Sequence, residues 1–269
     1  MEPFAKERVI TLAEKNLLGY KVCKGTREAC AEEISHWVLN GDHPRWLACL
    51  NPHSFVTARK DDAFRKALNN ADLLIPDGMG IVLASRILGG GLRERVTGSD
   101  MFQGVHERLN REGEGSVFFL GSTEATLAAI RKRMAKDYPS IRVAGTFSPP
   151  FKSEFTPEDD ELMIKAVNDV RPDILWVGMT APKQEKWIHR NKDKLNVKFI
   201  GAVGAVFDYY AGNVKRAPAW ARRVGLEWLY RWIQEPRRLW IRNVISTPIF
   251  LGGIIKEIVR TIFPTKIRR

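Results

Sequence analysis

The sequence predicts an α/β fold: a Rossmann-like, mostly parallel sheet flanked by helices, followed by a basic helical C-terminal appendage. Two observations carry this. Six short apolar runs recur along the chain with amphipathic segments between them, the pattern of strands alternating with crossover helices. The charge is also split unevenly. The 269 residues hold 43 Lys+Arg against 31 Asp+Glu, a net +12. Residues 215–269 contain thirteen basic and three acidic residues, which puts +10 on the last fifth and only +2 on the preceding 214. We therefore divide the chain into an α/β core, 1–214, and a basic appendage, 215–269.

The runs are Trp46–Cys49, Leu73–Ile75, Val117–Leu120, Ile141–Ala144, Ile174–Val177 and Phe199–Val203. Each is four or five residues at most and bounded by Gly, Pro, Asn or polar residues, which fits buried strands better than helices. Thr156-Pro157-Glu158-Asp159 starts a helix, with a hydroxyl at the N-cap, proline at N1 and acids in the first turn. Ser122 or Thr123 caps another, in which Leu127, Ile130 and Met134 repeat at helical spacing.

Composition narrows the class. At 44% hydrophobic and 28% charged, the chain can bury a core and is not disordered. Three cysteines without C-x-x-C spacing indicate neither a disulfide framework nor a zinc site, and point to a reducing compartment. The first fifteen residues alternate charge with apolar side chains and lack a signal-peptide h-region, which leads us to expect a cytoplasmic protein. No run reaches the roughly 18 uncharged apolar residues of a spanning helix.

In open parallel sheets, ligands bind outside the carboxyl ends of the strands, so the residues following each run are the candidates. They are Asn51-Pro52-His53, Pro76-Asp77-Gly78-Met79-Gly80, Gly121-Ser122-Thr123, Gly178 through Glu185, and Gly204 through Asp208. Neither a G-x-G-x-x-G fingerprint nor a P-loop is present, and no cofactor is expected. Asp77 reads either as the N-cap of the helix through Ile81 or as a general base for an attacking hydroxyl. Pro182 and Glu185 suit an ordinary helix start, but Lys183 and Gln184 suit a phosphate and a sugar hydroxyl better than the positive end of a helix dipole. Arg95 is a solvated loop charge or an anion ligand. The His and acidic residues show no metal-binding spacing, which favours a metal-independent reaction.

With these segments the chain resembles the WecB/TagA/CpsF family of bacterial glycosyltransferases. The resemblance rests on Asn51, Pro76 through Val82, Glu94-Arg95-Val96-Thr97-Gly98-Ser99-Asp100, Phe119-Leu120-Gly121, Gly178 with Ala181 through Trp187, Gly201 through Asp208, Gly212 through Pro218, and Gly225 through Arg231. It implies inverting, metal-free transfer of a hexose from a UDP-sugar to an undecaprenyl-diphosphate-linked sugar at the inner membrane face. The family's base falls on Asp77 and its sugar pocket on Asn51, Arg95 and Gln184. Cys49 stands where the family often has Thr. Nucleotide contacts are implied for the loops holding Gly121 and Ser122, Gly178 with Pro182, Lys183 and Glu185, and Gly204 to Asp208. Arginines of the appendage, here Arg231 and Arg238, are implied at the leaving diphosphate. Arginine matches that role because its planar fork fits diphosphate oxygens.

The appendage also carries Ile249, Phe250, Ile254, Ile255, Ile258, Val259, Ile262 and Phe263 among cations, a pattern expected of an interfacial helix on an anionic membrane. Nucleic acid is disfavoured, since the core has no reader motif and Ile-rich surface beside the charge suits lipid. A non-catalytic UDP-sugar-binding scaffold is the remaining alternative. Self-association into a homo-oligomer would shield the tail in solution.

Overall fold

The computed structural model describes residues 12–215, 217–218, 227–234 and 241–262. All six predicted strands form one parallel sheet: β3 (Arg45–Leu50), β4 (Leu73–Pro76), β5 (Ser116–Gly121), β6 (Arg142–Phe147), β7 (Ile174–Gly178) and β8 (Phe199–Ala202), in the order β4-β3-β8-β7-β5-β6. Ahead of them is a hairpin that the sequence pattern did not reveal. Its strands, β1 (Glu14–Leu17) and β2 (Tyr20–Cys23), pair antiparallel through Leu18 and Gly19. Both turn residues have positive φ, 53° and 88°, as a two-residue type I′ turn requires.

Successive side chains of each strand enter opposite layers, as the two-residue period demands. Trp46, Ala48, Phe118, Leu120, Leu175 and Val177 pack on one face, while Leu47, Val117, Phe119, Ile174 and Trp176 pack on the other. The first layer is covered by α2 (Pro52–Ala58), α3 (Asp62–Asn69), α4 (Met79–Ile87), α7 (Pro157–Asn168) and α8 (Lys183–Asn191). The second is covered by α1 (Arg27–Asn40), α5 (Gly98–Glu112), α6 (Glu124–Asp137) and α9 (Val206–Ala211). Both expected caps form. Thr156 accepts from Asp159 N in a capping box, and of the two candidates for α6 it is Thr123 that accepts, from Thr126 N.

The appendage contributes α10 (Glu227–Gln234), a π-helical turn (Ile241–Ser246) and α11 (Thr247–Ile262). α11 is partly built into the body. Phe250 and Ile254 are buried, Phe250 meets the Phe55 ring edge-on at 5.5 Å, and His53 Nδ1 bonds Ser246 Oγ at 2.8 Å. The expected lipid-facing set therefore divides. Phe250 and Ile254 face protein, Ile249 and Ile258 are half-buried against it, and Ile255, Val259 and Ile262 are exposed, as is Leu251, which the expected set did not include; Phe263 lies outside the described residues.

Candidate active site at the carboxyl edge of the sheet

The strand order determines which candidates become neighbours. From β5 the chain moves outward to β6, whereas from β7 it moves the other way to β8, so the border between β5 and β7 is the topological switch point where such sheets bind ligands. Gly121 and Gly178 are register partners across this border. A Cβ on Gly121, whose φ is 124°, would lie 2.5 Å from Gly178 O, and one on Gly178 would strike the Phe207 ring. The two backbones approach as closely as they do because neither residue has a side chain. Ser122 follows at φ 58°, and its carbonyl accepts from Ser148 Oγ at 2.7 Å.

The other end of the edge is built from β3 and β4. Asp77 N donates to Leu50 O at 2.8 Å and Val96 N donates to Pro76 O at 3.1 Å. These bonds bring the Asn51, Asp77 and Arg95 segments together, although 44 residues of sequence separate the first from the last. The helix after Asp77 has Gly78 at its N-cap and no side-chain cap bond, so Asp77 is not the cap of α4. Asn51 is itself a cap. Its Oδ1 accepts from Ser54 N at 2.9 Å, and Ser54 Oγ accepts from Asn51 N at 2.7 Å. This fixes the carboxamide and leaves its nitrogen end as the donor for a ligand.

Between the two ends are Cys49, Gln184, Glu185 and Gly204. Cys49 Sγ donates to Ala202 O at 3.7 Å. Desolvation pushes its thiol well above the ordinary value, and the charges of Asp77 and Glu185 add to the effect. Electrostatically, this cysteine marks where the two halves of the edge meet. Gln184 and Glu185 lie in the first turn of α8, after a cis Ala181–Pro182 bond, with Pro182 at the N-cap. Both side chains are buried, at 4% and 2% exposure. Gln184 Oε1 accepts from Met179 N at 3.2 Å, and Gln184 Nε2 donates to Glu185 Oε1 at 2.9 Å. Burial raises the Glu185 carboxyl to about 7. Asp208 is half-buried in the first turn of α9, where its carbonyl accepts from Asn213 N and Val214 N.

Lys183 already has protein partners. Its ammonium donates to Lys152 O at 2.8 Å and stands 4.6 Å over the Phe155 ring, and desolvation lowers its pKa. It is engaged by the loop after β6. That loop also contributes Ser148, against Ser122, and the fully exposed Phe151. Sequence reasoning passed over this segment, and the available signal was Ser148-Pro149-Pro150-Phe151, which follows the Ile141–Ala144 run after three intervening residues. Arg238 and the side chain of Arg231 lie outside the described residues. Among the described residues, no group of three or more His, Cys, Asp or Glu side chains converges, and no helix is long and apolar enough to cross a membrane.

The fold is a three-layer, open parallel α/β sheet with a carboxylate, carboxamides and glycine turns along its carboxyl edge, where sheets of this class bind ligands. Residues 15–263 match the model of the glycosyl transferase WecG/TagA/CpsF family, and the chain belongs to that family. Three similar relatives carry the same description, N-acetylglucosaminyldiphosphoundecaprenol N-acetyl-beta-D-mannosaminyltransferase. The one from Bacillus subtilis (strain 168) is 31% identical over 211 residues, covering 78% of this chain and 79% of the relative. The one from Bacillus spizizenii is 29% identical over 219 residues, 81% and 82% of the two chains. The one from Staphylococcus aureus (strain MW2) is 28% identical over 245 residues, 91% and 93%. The chain is thus a glycosyltransferase.

Proposed function

We propose that this enzyme moves a hexose of the N-acetylmannosamine or glucose type from a UDP-sugar to a hydroxyl of a sugar carried on undecaprenyl diphosphate, in one inverting displacement without a metal. The observation that carries this reading is the layout of the carboxyl edge. Asp77 and Asn51 lie at the β4–β3 end, the glycine pair lies at the switch point, and Gly204, Gln184 and Glu185 lie between. Strands sit about 4.8 Å apart, so the four intervals from β4 to β5 span roughly 19 Å, a length that suits an extended nucleoside-diphosphate sugar. The hexose then rests on Cys49, Asn51, Arg95 and Gln184. The diphosphate and uridine follow along Gly204, Asp208, Gly178, Pro182, Lys183, Glu185, Gly121 and Ser122.

In this arrangement Asp77 takes the proton of the acceptor hydroxyl as its oxygen attacks the anomeric carbon and the bond to UDP breaks. The attack comes from the face opposite the leaving group, which inverts the centre. Arg231 and Arg238 are assigned to the developing negative charge on UDP, a role for preorganised donors. The names of the relatives, which specify a β-linked mannosaminyl product and a lipid-diphosphate acceptor, support both the donor class and the stereochemistry. Lipid-linked polymer synthesis of the teichoic-acid or exopolysaccharide kind is the corresponding role.

The test is UDP release from a panel of UDP-sugars with a short-chain lipid-diphosphate sugar, with and without EDTA, and the anomeric configuration of the product read by NMR. Wild type should release UDP with EDTA present and form an inverted linkage. A retained configuration, or release only with added divalent metal, overturns the mechanism. Asp77→Asn separates an enzyme from a scaffold, since a scaffold would support polymer synthesis unchanged.

Membrane attachment through the appendage, on the cytoplasmic face, belongs to the same proposal. Leu251, Ile255, Val259 and Ile262 are exposed beside Lys256 and Arg260, and each such cation gains about 1 kcal/mol near anionic lipid. Because Phe250 and Ile254 are built into the body, surface substitutions test this better than deletion. Ile255→Asp with Ile262→Asp should release the protein from phosphatidylglycerol vesicles without lowering its melting temperature, and unchanged co-sedimentation would refute the attachment.

A further inference from the structure

Glu185 is the buried acid of this edge, and its hydrogen bonds give it a role more particular than lining the nucleotide path. Its Oε1 accepts from Gln184 Nε2, while its Oε2 is buried without a hydrogen-bond partner among the described residues. Gln184 is held from the other side as well, because Met179 N–H can only donate, and so requires the carboxamide oxygen. The two contacts select the same one of the two amide orientations. In it, one Nε2 hydrogen points to Glu185 and the second is left for another acceptor. Gly204 opens that side. A Cβ there would lie 3.6 Å from Gln184 Oε1 and 3.7 Å from Nε2, in contact with the carboxamide.

We propose that Glu185 is a positioning residue: its buried carboxyl locks the Gln184 carboxamide so that an N–H, and not the carbonyl oxygen, faces the donor substrate. This rests on the proposed function, because the donor group that accepts the N–H is a hydroxyl, carbonyl or phosphate oxygen of the UDP-sugar. Without Glu185 the orientation rests on Met179 N–H alone, and the flipped population would present its oxygen to those acceptors and repel them.

The charge state of Glu185 gives the device a pH dependence. The titratable and charged groups around it are Cys49 on β3, with Asp77 and Asp100 acting on that thiol, and Lys183, Lys186 and His189 on its own helix. Lys186 is turned to Asp61 of α3 at 3.0 Å and Lys183 to Lys152 O, so neither cation compensates Glu185. Ionisation above about 7 therefore places a negative charge, compensated by neither Lys183 nor Lys186, beside an anionic donor.

Donor KM and kcat of wild type, Glu185→Leu and Glu185→Gln should be measured on the full chain from pH 6 to 9, with melting temperatures alongside. Glu185→Leu is expected to raise donor KM about tenfold at pH 6.5 with a smaller change in kcat. Glu185→Gln, whose oxygen can still accept from Gln184, should recover most of that loss. Wild-type KM should rise above pH 7, and that of Glu185→Gln should not. Unchanged KM in Glu185→Leu, or a Glu185→Gln variant no better than it, overturns the proposal. If Glu185→Leu does not fold, a Glu185→Gln pH profile superimposable on wild type overturns it equally. Failure of wild type to bind UDP or release it from any UDP-sugar would instead sink the reading of the site.

Discussion

Two buried titratable groups lie on helices covering opposite faces of the sheet, and the contrast between them separates structure from function. His106 lies in α5 at 0% exposure, boxed by the rings of Phe102, Tyr138 and Trp176, and its Nε2 accepts from Trp176 Nε1 at 3.0 Å. Burial alone lowers it to about 3. Glu185 is also buried and shifted by burial, and like His106 Nδ1 its Oε2 has no hydrogen-bond partner among the described residues, but it lies at the carboxyl edge of the sheet. A shifted pKa by itself does not mark a site. What distinguishes the two is position relative to the strand ends and whether the neighbours are apolar rings or ligand-competent groups.

The sharpest break in this comparison is at Asp77. Asp77→Asn should lower turnover by about 100- to 10,000-fold, the usual worth of a general base, with UDP affinity by calorimetry and the melting temperature nearly unchanged. His106→Ala should do the reverse. It leaves the Trp176 N–H unpaired and opens a cavity, costing about 3 kcal/mol or more in urea unfolding while UDP affinity stays put. A loss of UDP binding in folded His106→Ala would dissolve the distinction.

Next is pH. Glu185 has a folded-state pKa above its ordinary 4.5, so the folded state holds its proton longer, and stability falls as pH rises from about 4.5 to 7 and is level beyond. The full penalty is about 3 kcal/mol at 1.36 kcal/mol per unit. Glu185→Gln should remove it, raising the urea midpoint relative to wild type at pH 8 but not at pH 4. His106 works in the opposite direction. Its folded pKa is depressed below 6.5, so the stability it contributes is present above that value and is lost as pH falls toward 3. An acid-side loss of stability that persists in Glu185→Gln is therefore expected. The smallest effect belongs to the cap that sets the Arg95 segment. Thr97 accepts from Asp100 N and donates to Asp100 Oδ2, and Thr97→Ala should cost about 1 kcal/mol, with donor KM rising as the loop loosens.

Much of the fold was legible because its signals are local. The six strands coincide with six apolar runs, and the caps at Thr123 and Thr156 follow from hydroxyls placed three residues before their partners. The β1–β2 hairpin escaped because Glu-Lys-Asn-Leu and Tyr-Lys-Val-Cys are short and half polar, and Leu18 carries a positive φ that side chains of its type rarely adopt. At the edge, the residues after each run named Asn51, Asp77, Gly121, Gly178 and Gly204. Lys183 was read as a phosphate ligand, and nothing local shows that the loop after β6 also comes back to meet its ammonium. The stretch from Ile249 to Phe263 was read as lipid-facing because an amphipathic stripe looks the same whether its partner is a bilayer or α2.

The sequence by itself determined which segments become strands, which residues end up at their carboxyl ends, and where the excess charge is concentrated, since periodicity, caps and composition act within a few residues. Only the tertiary structure decided that Gly121 faces Gly178, that Asp77 lies against Leu50 and Asn51, and that Glu185 is buried onto Gln184. Those contacts depend on strand order and on layers closing over the sheet. Pairings between residues tens of positions apart are settled by the packing of whole elements, which no local stretch encodes.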